Sequence, residues 1–156
     1  MRVINILTLY IILFSIGCKP PEQKCEINKE EKGLICEKIS LYQNGELITS
    51  PVIPLDCTLE MSFTGLKGFR SKGDIVFPGG TLTVKDENGE IVFKLEDVFI
   101  DYDETGANKE IVKKNISMFL ETGSPMQSGH TYTWENIIWD KMANRKITGK
   151  TKITME

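Results

Sequence analysis

The sequence lacks the short motifs that mark the commonest kinds of enzyme. It has no Gly-rich phosphate loop, no dinucleotide-binding fingerprint and no Cys-x-x-Cys pair. It has one histidine, His130, and no Gly-x-Ser-x-Gly sequence that would supply a nucleophile for it. None of its carboxylates lies on an element predicted to bury it beside a second one, as glycosidases require. These absences predict a protein that is not an enzyme and that uses no cofactor.

The chain also lacks a strong excess of charge of either sign. Its 156 residues carry a formal net charge of −3, and its pI is about 5.3. A nucleic-acid partner normally requires a clustered basic face, so we expect none. Because 40% of the residues are hydrophobic and 26% are charged, the composition favours one folded domain over a long disordered region.

The N-terminal segment has the pattern of a secretion signal. Arg2 gives a positive start, and residues 3–16 are almost wholly apolar. This run is shorter than the roughly 20 residues that a membrane-spanning helix needs. It ends in Ser15-Ile16-Gly17-Cys18, which resembles the lipobox of bacterial lipoproteins. An ordinary signal peptide followed by a chance cysteine is the alternative interpretation.

The resemblance implies a membrane-anchored envelope protein. Residues 1–17 would be removed as the signal peptide, and Cys18 would become the acylated first residue, so that the membrane is bound through its lipid. Residues 18–24 would form the lipidated N-terminus and a spacer, and residues 25–156 a single domain. The expected location is the cell envelope, with the outer membrane favoured and the domain either facing the periplasm or exposed at the surface.

Three further cysteines would then lie in a compartment that permits disulfides. A hairpin about the polar turn at residues 28–33 would place Cys25 opposite Cys36, which favours a disulfide between them. A Cys36–Cys57 bridge is the competing pairing. Cys57 alternates with the apolar residues of the following strand, which is typical of an unreactive core thiol.

The rest of the chain shows the period-2 alternation of β-strands. Two Asn-Gly pairs, Asn44-Gly45 and Asn88-Gly89, lie between such runs and predict hairpins. A strand over residues 131–140 would need a β-bulge near Glu135-Asn136 to place all of its large apolar side chains in the core, namely Tyr132, Trp134, Ile137 and Trp139. About eight or nine strands predict an all-β, immunoglobulin-like or fibronectin-III-like antiparallel sandwich, with a small β-barrel as the alternative.

Two long connections, residues 64–80 and 100–114, are the predicted contact surface, since loops at the ends of a sandwich often carry function. The second connection includes a predicted short helix over residues 108–113. It also holds the start of a calcium loop in Asp101, Asp103 and Thr105, but Val112 stands where such a loop has its bidentate Glu. We therefore expect no metal, and an ordinary acidic turn.

The expected function is that of a lipid-anchored envelope module that binds or scaffolds without catalysis. Its partner would be another envelope protein or a glycan. A structural subunit of an envelope assembly is one alternative, and an envelope hydrolase or thiol-redox protein is another.

Overall fold

The structure is a computed structural model that describes residues 24–156, and its regular secondary structure consists almost entirely of β-strands. The strands and the one α-helix are β1 (Ile27–Lys32), β2 (Lys38–Gln43), β3 (Glu46–Leu47), β4 (Val52–Ile53), β5 (Thr58–Thr64), β6 (Ile75–Val76), β7 (Pro78–Lys85), β8 (Ile91–Leu95), β9 (Ala107–Asn108), α1 (Lys109–Lys114), β10 (Asn115–Glu121), β11 (Thr131–Asp140) and β12 (Lys146–Met155). A single turn of 3-10 helix spans Ile100–Tyr102.

Two sheets form the sandwich. The first has the strand order β1-β12-β11-β7-β8, with β4 pairing in parallel with the end of β12, and the second has the order β10-β5-β2-β3. The strands β6 and β9 form a separate two-stranded ribbon. The sheets do not close into a barrel, so the prediction of an all-β antiparallel sandwich is confirmed. Eight strands in the described part have five or more residues, in line with the eight or nine predicted.

The core lies between the two sheets and follows the alternation read from the sequence. In β5, Leu59, Met61 and Phe63 are fully buried. They face the side chains that β11 and β12 direct inward, among them Trp134, Ile138, Ile147 and Ile153. Full burial of each such side chain contributes about 1.5–3 kcal/mol, and this apolar layer is the main source of stability.

Both Asn-Gly hairpins are confirmed. Asn44 and Gly45 have φ values of 51° and 81°, and they join β2 to β3 with Gln43 opposite Glu46. Such positive φ values match a two-residue hairpin turn, and Asn and Gly adopt them most readily. In the β7–β8 turn, Asp86 Oδ1 accepts the amide N–H groups of Asn88 and Glu90 at 2.9 and 2.8 Å.

The predicted hairpin about residues 28–33 is wrong. Residues 28–32 belong to β1, which pairs with β12 from Ile27–Thr151 to Lys32–Lys146. A six-residue ladder satisfies more backbone groups than the short hairpin would. Cys25 precedes β1, and its thiol lies against Thr151, whereas the Cys36 amide donates to Glu31 Oε1 at 3.1 Å beside the middle of β1. The register proposed for their disulfide is therefore absent. The three cysteines of the described part, Cys25, Cys36 and Cys57, are free thiols.

The predicted bulge in β11 is also wrong. The strand pairs without interruption with both β12 and β7, and its buried residues alternate strictly along its length. Asn136 therefore takes the core position, where its Oδ1 accepts a hydrogen bond of 2.9 Å from Trp134 Nε1. Ile137 and Trp139 lie on the outer face, and the Trp139 ring lies across Gly79 of β7.

Candidate binding surface at the loop end

The sandwich has two ends of different character. At the N-terminal end, the Cys25 amide donates to the Thr49 carbonyl at 2.6 Å, and the turn before β11 bonds to Met155 through Gly129 N–H at 2.8 Å. At the other end, which we call the loop end, three connections meet: residues 64–77, 96–114 and 141–145. Because β11 and β12 have ten residues each, about 30 Å of strand separates the two ends.

The two long connections predicted as the contact surface are joined to each other. Their strands β6 and β9 pair, with Val76 opposite Ala107, and the Leu66 amide donates to the Lys113 carbonyl at 3.0 Å. The predicted helix over residues 108–113 is present as α1, and Asn108 caps it by accepting two amide N–H groups. The predicted loop 64–80 also contributes β6 and the first residues of β7.

A polar cleft of about 460 Å³ opens beside the half-buried Phe77 ring, and we call it the Phe77 cleft. The ammonium group of Lys72 lies 5.6 Å from the ring centroid, within the range of a cation–π contact. The other walls are formed by Asp97, Asp103, Lys141 and Met142.

Lys141 is the most highly coordinated charge in the cleft. Its Nζ lies 2.6 Å from Asp97 Oδ2, also pairs with the Asp103 carboxylate, and donates to the Phe99 carbonyl at 3.3 Å. Burial alone lowers the pKa of Lys141, but the hydrogen bonds with Asp103 and Asp97 outweigh it and raise that pKa above its ordinary value. The Lys141 ammonium is therefore firmly charged and serves to fix the two acidic segments in place.

An apolar pocket of about 220 Å³ lies on the other side of the β6–β9 ribbon. Val76 lines it, while the next residue, Phe77, lines the polar cleft, because successive side chains of an extended chain point to opposite sides. The rest of the pocket's apolar wall is formed by Leu66, Phe69 and Val112. Its rim carries charges of both signs, namely Lys67, Lys109, Glu110 and Lys113.

Three large apolar side chains are exposed on the 96–114 connection at the loop end. Ile100, Tyr102 and Ile111 are 62%, 42% and 68% accessible to solvent. Ile100 and Tyr102 lie on the 3-10 turn, and Ile111 lies on the outer side of α1. Exposed apolar groups grouped at one end of a domain are typical of a binding surface.

The structure does not bring the predicted calcium residues together. Asp103 pairs with Lys141, and the Thr105 hydroxyl is directed at the carbonyl of Gly106, while Asp101 lies on the exposed 3-10 turn. Within residues 24–156, no three His, Cys, Asp or Glu side chains are close enough to hold a metal ion. His130 lies at the N-terminal end, next to the start of β11. The predicted lipidation site, Cys18, lies outside the described residues.

Sequence reasoning found the loops of this surface but missed the Phe77 cleft. Phe77 and Lys141 are far apart in the sequence, and they meet because the Lys141 amide donates to the Phe77 carbonyl at 2.9 Å. The only signal available was the length of the connections themselves.

Comparison with known proteins gives no relative from which a function could be transferred. No protein-family model matches the chain, and no curated protein matches it significantly. Among the described residues, no helix is both long and apolar enough to cross a membrane.

Proposed function

We propose that this chain is a lipid-anchored envelope protein that binds a partner through its loop end, without catalysis. The observation that supports this function is the placement of the loop end opposite the N-terminal end. An anchor at Cys18 would then leave the loop end pointing away from the bilayer. In an extended conformation, the spacer of residues 19–24 would hold the domain at most about 20 Å further from the bilayer.

The chemistry of the loop end favours a protein partner. Ile100, Tyr102 and Ile111 provide apolar contact area, and charged side chains line the rim of the apolar pocket and the turn at residues 101–104. Interfaces that combine buried apolar residues with a polar, charged rim are the usual kind between proteins. A glycan is the second candidate, because the Phe77 cleft places carboxylates and ammonium groups around an aromatic ring.

Two features support a role without chemistry. Burial raises the pKa of the Cys36 thiol, which disfavours the thiolate that redox or nucleophilic chemistry needs. The one histidine lies at the N-terminal end, far from the carboxylates of the Phe77 cleft.

The anchor and the binding surface can be tested separately in bacterial cells that express the full chain. A photo-crosslinking residue at Ile111 should give a discrete product, whereas one at the exposed Glu46, beside the β2–β3 turn at the opposite end, should give none. Equal crosslinking at both positions would contradict binding at the loop end. The Cys18→Ser variant should leave the membrane fraction, and its retention there would contradict the lipid anchor.

A structural subunit of a larger assembly is distinguished by the yield of the partner. A partner recovered in fixed stoichiometry after detergent extraction would indicate an assembly. A partner recovered only after crosslinking would indicate a reversible binding module.

A further inference from the structure

The edge strand β8 carries exposed apolar side chains that the loop end does not explain. Phe93 and Leu95 pair with Val84 and Leu82 of β7, both of which are fully buried. Residues that lie opposite each other in a sheet point to the same face. Phe93 and Leu95 therefore extend the core layer onto β8, the edge strand of the sheet, where they are 37% and 43% exposed.

A groove of about 480 Å³ lies between β8 and β10, which are the neighbouring edges of the two sheets. Phe119 of β10, 59% exposed, lies along it. The groove is completed by the segment that follows β10, including Pro125 and Met126. It is the place where the sandwich is open to solvent along an apolar side.

The opposite edge of the same sheet is built differently. In β1 four of the six residues are charged, from Lys29 to Lys32. Charged side chains on an edge strand discourage the pairing of a further strand. In β8 the single charged residue is Lys94, and Ile91, Phe93 and Leu95 are all exposed. The β8 edge therefore lacks the protection that β1 has.

We propose that β8 and its groove bind an extended peptide segment of a partner protein, which pairs with β8 as an additional strand. In the described part of the chain, β8 pairs with β7 alone, so the backbone groups on its other side are available. An extended strand is the ligand whose N–H and C=O groups have the matching spacing. Its alternate side chains would have to be apolar, because they would lie over Phe93, Leu95 and Phe119.

The negative charges around the groove indicate which residues should flank the apolar stretch of this peptide. Glu90 and Glu96 flank β8, and Glu121 lines the groove. Lys94, the one base among them, is paired with Glu96 at 2.7 Å. We therefore expect Lys or Arg on either side of the apolar stretch of the partner. This site is separate from the loop end, and its test does not depend on the function proposed above.

A second copy of this chain is a poorer occupant. The antiparallel register that pairs all three apolar residues sets Phe93 against Phe93 and Ile91 against Leu95. The same register places Glu90 opposite Glu96 at both ends of the pair. Like charges directly opposite each other destabilise paired strands.

The test uses purified full-length chain in detergent and a defined probe. The probe is a synthetic nine-residue peptide of alternating valine and threonine with two lysines at each end, labelled for fluorescence anisotropy. We expect saturable binding that weakens about tenfold in Phe93→Lys and in Leu95→Lys. Each change removes an apolar contact and adds to the groove a positive charge that repels the lysines of the peptide. Ile111→Lys, a matched change at the loop end, should leave the affinity unchanged.

Two control peptides separate strand pairing from simple apolar adhesion. A peptide methylated at every backbone nitrogen of its valine–threonine stretch keeps its side chains but cannot donate along either edge, and it should not bind. A peptide with aspartates in place of the lysines should bind at least tenfold more weakly. Equal binding of the methylated peptide, or unchanged affinity in both groove variants, would overturn the proposal.

Two further measurements complete the test. Hydrogen exchange of the β8 amides should slow when the lysine-flanked peptide is present, which provides a readout that needs no variant to fold. Sedimentation of the full chain should show no dimer formed through this groove, that is, no dimer that the Phe93→Lys change dissociates. Such a dimer would overturn the proposal in favour of a second copy as the occupant.

Discussion

Lys141 fastens the turn after β11 to Asp97, which lies in the segment after β8, through an ion pair of 2.6 Å between Nζ and Oδ2. The side chains of the pair are only 18% and 21% exposed. Asp97 Oδ1 meanwhile accepts the amide N–H groups of Gly80 and Phe99 at 3.0 and 2.9 Å. One carboxylate thus joins three segments that are distant in the sequence, and it holds the Phe77 cleft in shape.

Removing the Lys141 ammonium should destabilise the fold. In Lys141→Met, Asp97 would remain charged and largely shielded from water without its partner. We expect the free energy of unfolding to fall by about 1–2 kcal/mol, less than for a fully buried pair. Urea denaturation followed by tryptophan fluorescence measures this change.

Lys32→Met is the matched control for this variant. Lys32 pairs with Glu30 at 2.8 Å, but both side chains are about 60% exposed, so removing the Lys32 ammonium should cost much less stability than removing that of Lys141. Similar losses of stability in the two variants would contradict a structural role for the Lys141 ion pair.

The same pair predicts how stability depends on pH. Burial alone raises the pKa of Asp97, but the hydrogen bonds from Lys141 and the two amides outweigh it, so the pKa lies below its ordinary value of 3.8. The unfolded chain therefore takes up the proton at a higher pH than the folded chain does. The stabilisation is complete above the ordinary pKa and is lost as the pH falls through the lowered one.

Asp97→Asn should accordingly flatten the acid side of the stability profile. Urea midpoints between pH 2.5 and 6 should decline less steeply below pH 4 in Asp97→Asn than in the parent chain. Lys141, whose pKa is raised, should affect the profile only above its ordinary value of 10.5. Parallel profiles for the two proteins below pH 4 would contradict the lowered pKa of Asp97.

Local chemistry made much of this fold predictable from the sequence. Asn44-Gly45 and Asp86 with Gly89 fix the turns by themselves, because they depend on residues close to each other in the chain. Strict alternation indicates the strands that face the core with one side, such as β10, in which Ile116, Met118 and Leu120 are buried. These signals do not need the partner strand to be known.

Pairing between distant segments was not predictable in the same way. β1 reads as a polar turn between two apolar pairs, and only the presence of β12, more than a hundred residues later, makes it a strand. The burial of Asn136 was missed because a polar core residue is expensive unless it is hydrogen-bonded, and its partner Trp134 also lies in the interior. The Phe77 cleft depends on the contacts of Lys141 with Phe77, Asp97 and Asp103, all distant from it in the sequence. No local sequence pattern indicates these contacts.

We expect that the position of the Trp139 ring requires a glycine at residue 79. A Cβ added at Gly79 would lie 2.2 Å from the indole Cε2, so the ring would have to move away from its position over β7. Gly79→Ala should therefore cost about 1–3 kcal/mol of stability. In a chain that also carries Trp139→Ala, the same glycine change should cost much less, and equal costs in the two backgrounds would contradict the contact.

Trp134 and Asn136 should behave as a coupled pair. Both are fully buried, and the Trp134 indole donates to Asn136 Oδ1, while Asn136 Nδ2 has no hydrogen-bond partner among the described residues. Trp134→Phe and Asn136→Leu should each destabilise by about 1–3 kcal/mol, because each leaves one buried polar group unpaired. The double variant should be more stable than the sum of the two losses predicts, by about 1 kcal/mol. Strict additivity in urea denaturation would show that the hydrogen bond contributes nothing.

The three cysteines of the described part should differ in their reactivity. Cys36 is buried, with 6% of its surface exposed, and burial raises the pKa of its thiol. Cys25 and Cys57 are only partly buried, and their sulfur atoms are held by Thr151 and by the Pro54 carbonyl at 3.3 Å. Alkylation of the native chain with N-ethylmaleimide should therefore label Cys25 and Cys57 at least about tenfold faster than Cys36, because labelling of Cys36 requires local opening. In urea the three rates should converge.

A peptide map without reduction should show no link between Cys25 and Cys36. The Cys25 thiol lies against Thr151, whereas Cys36 bonds to Lys29 and Glu31 in the middle of β1. A linked pair would mean that residues 28–33 form a turn after all, and that β12 has lost β1 as its partner.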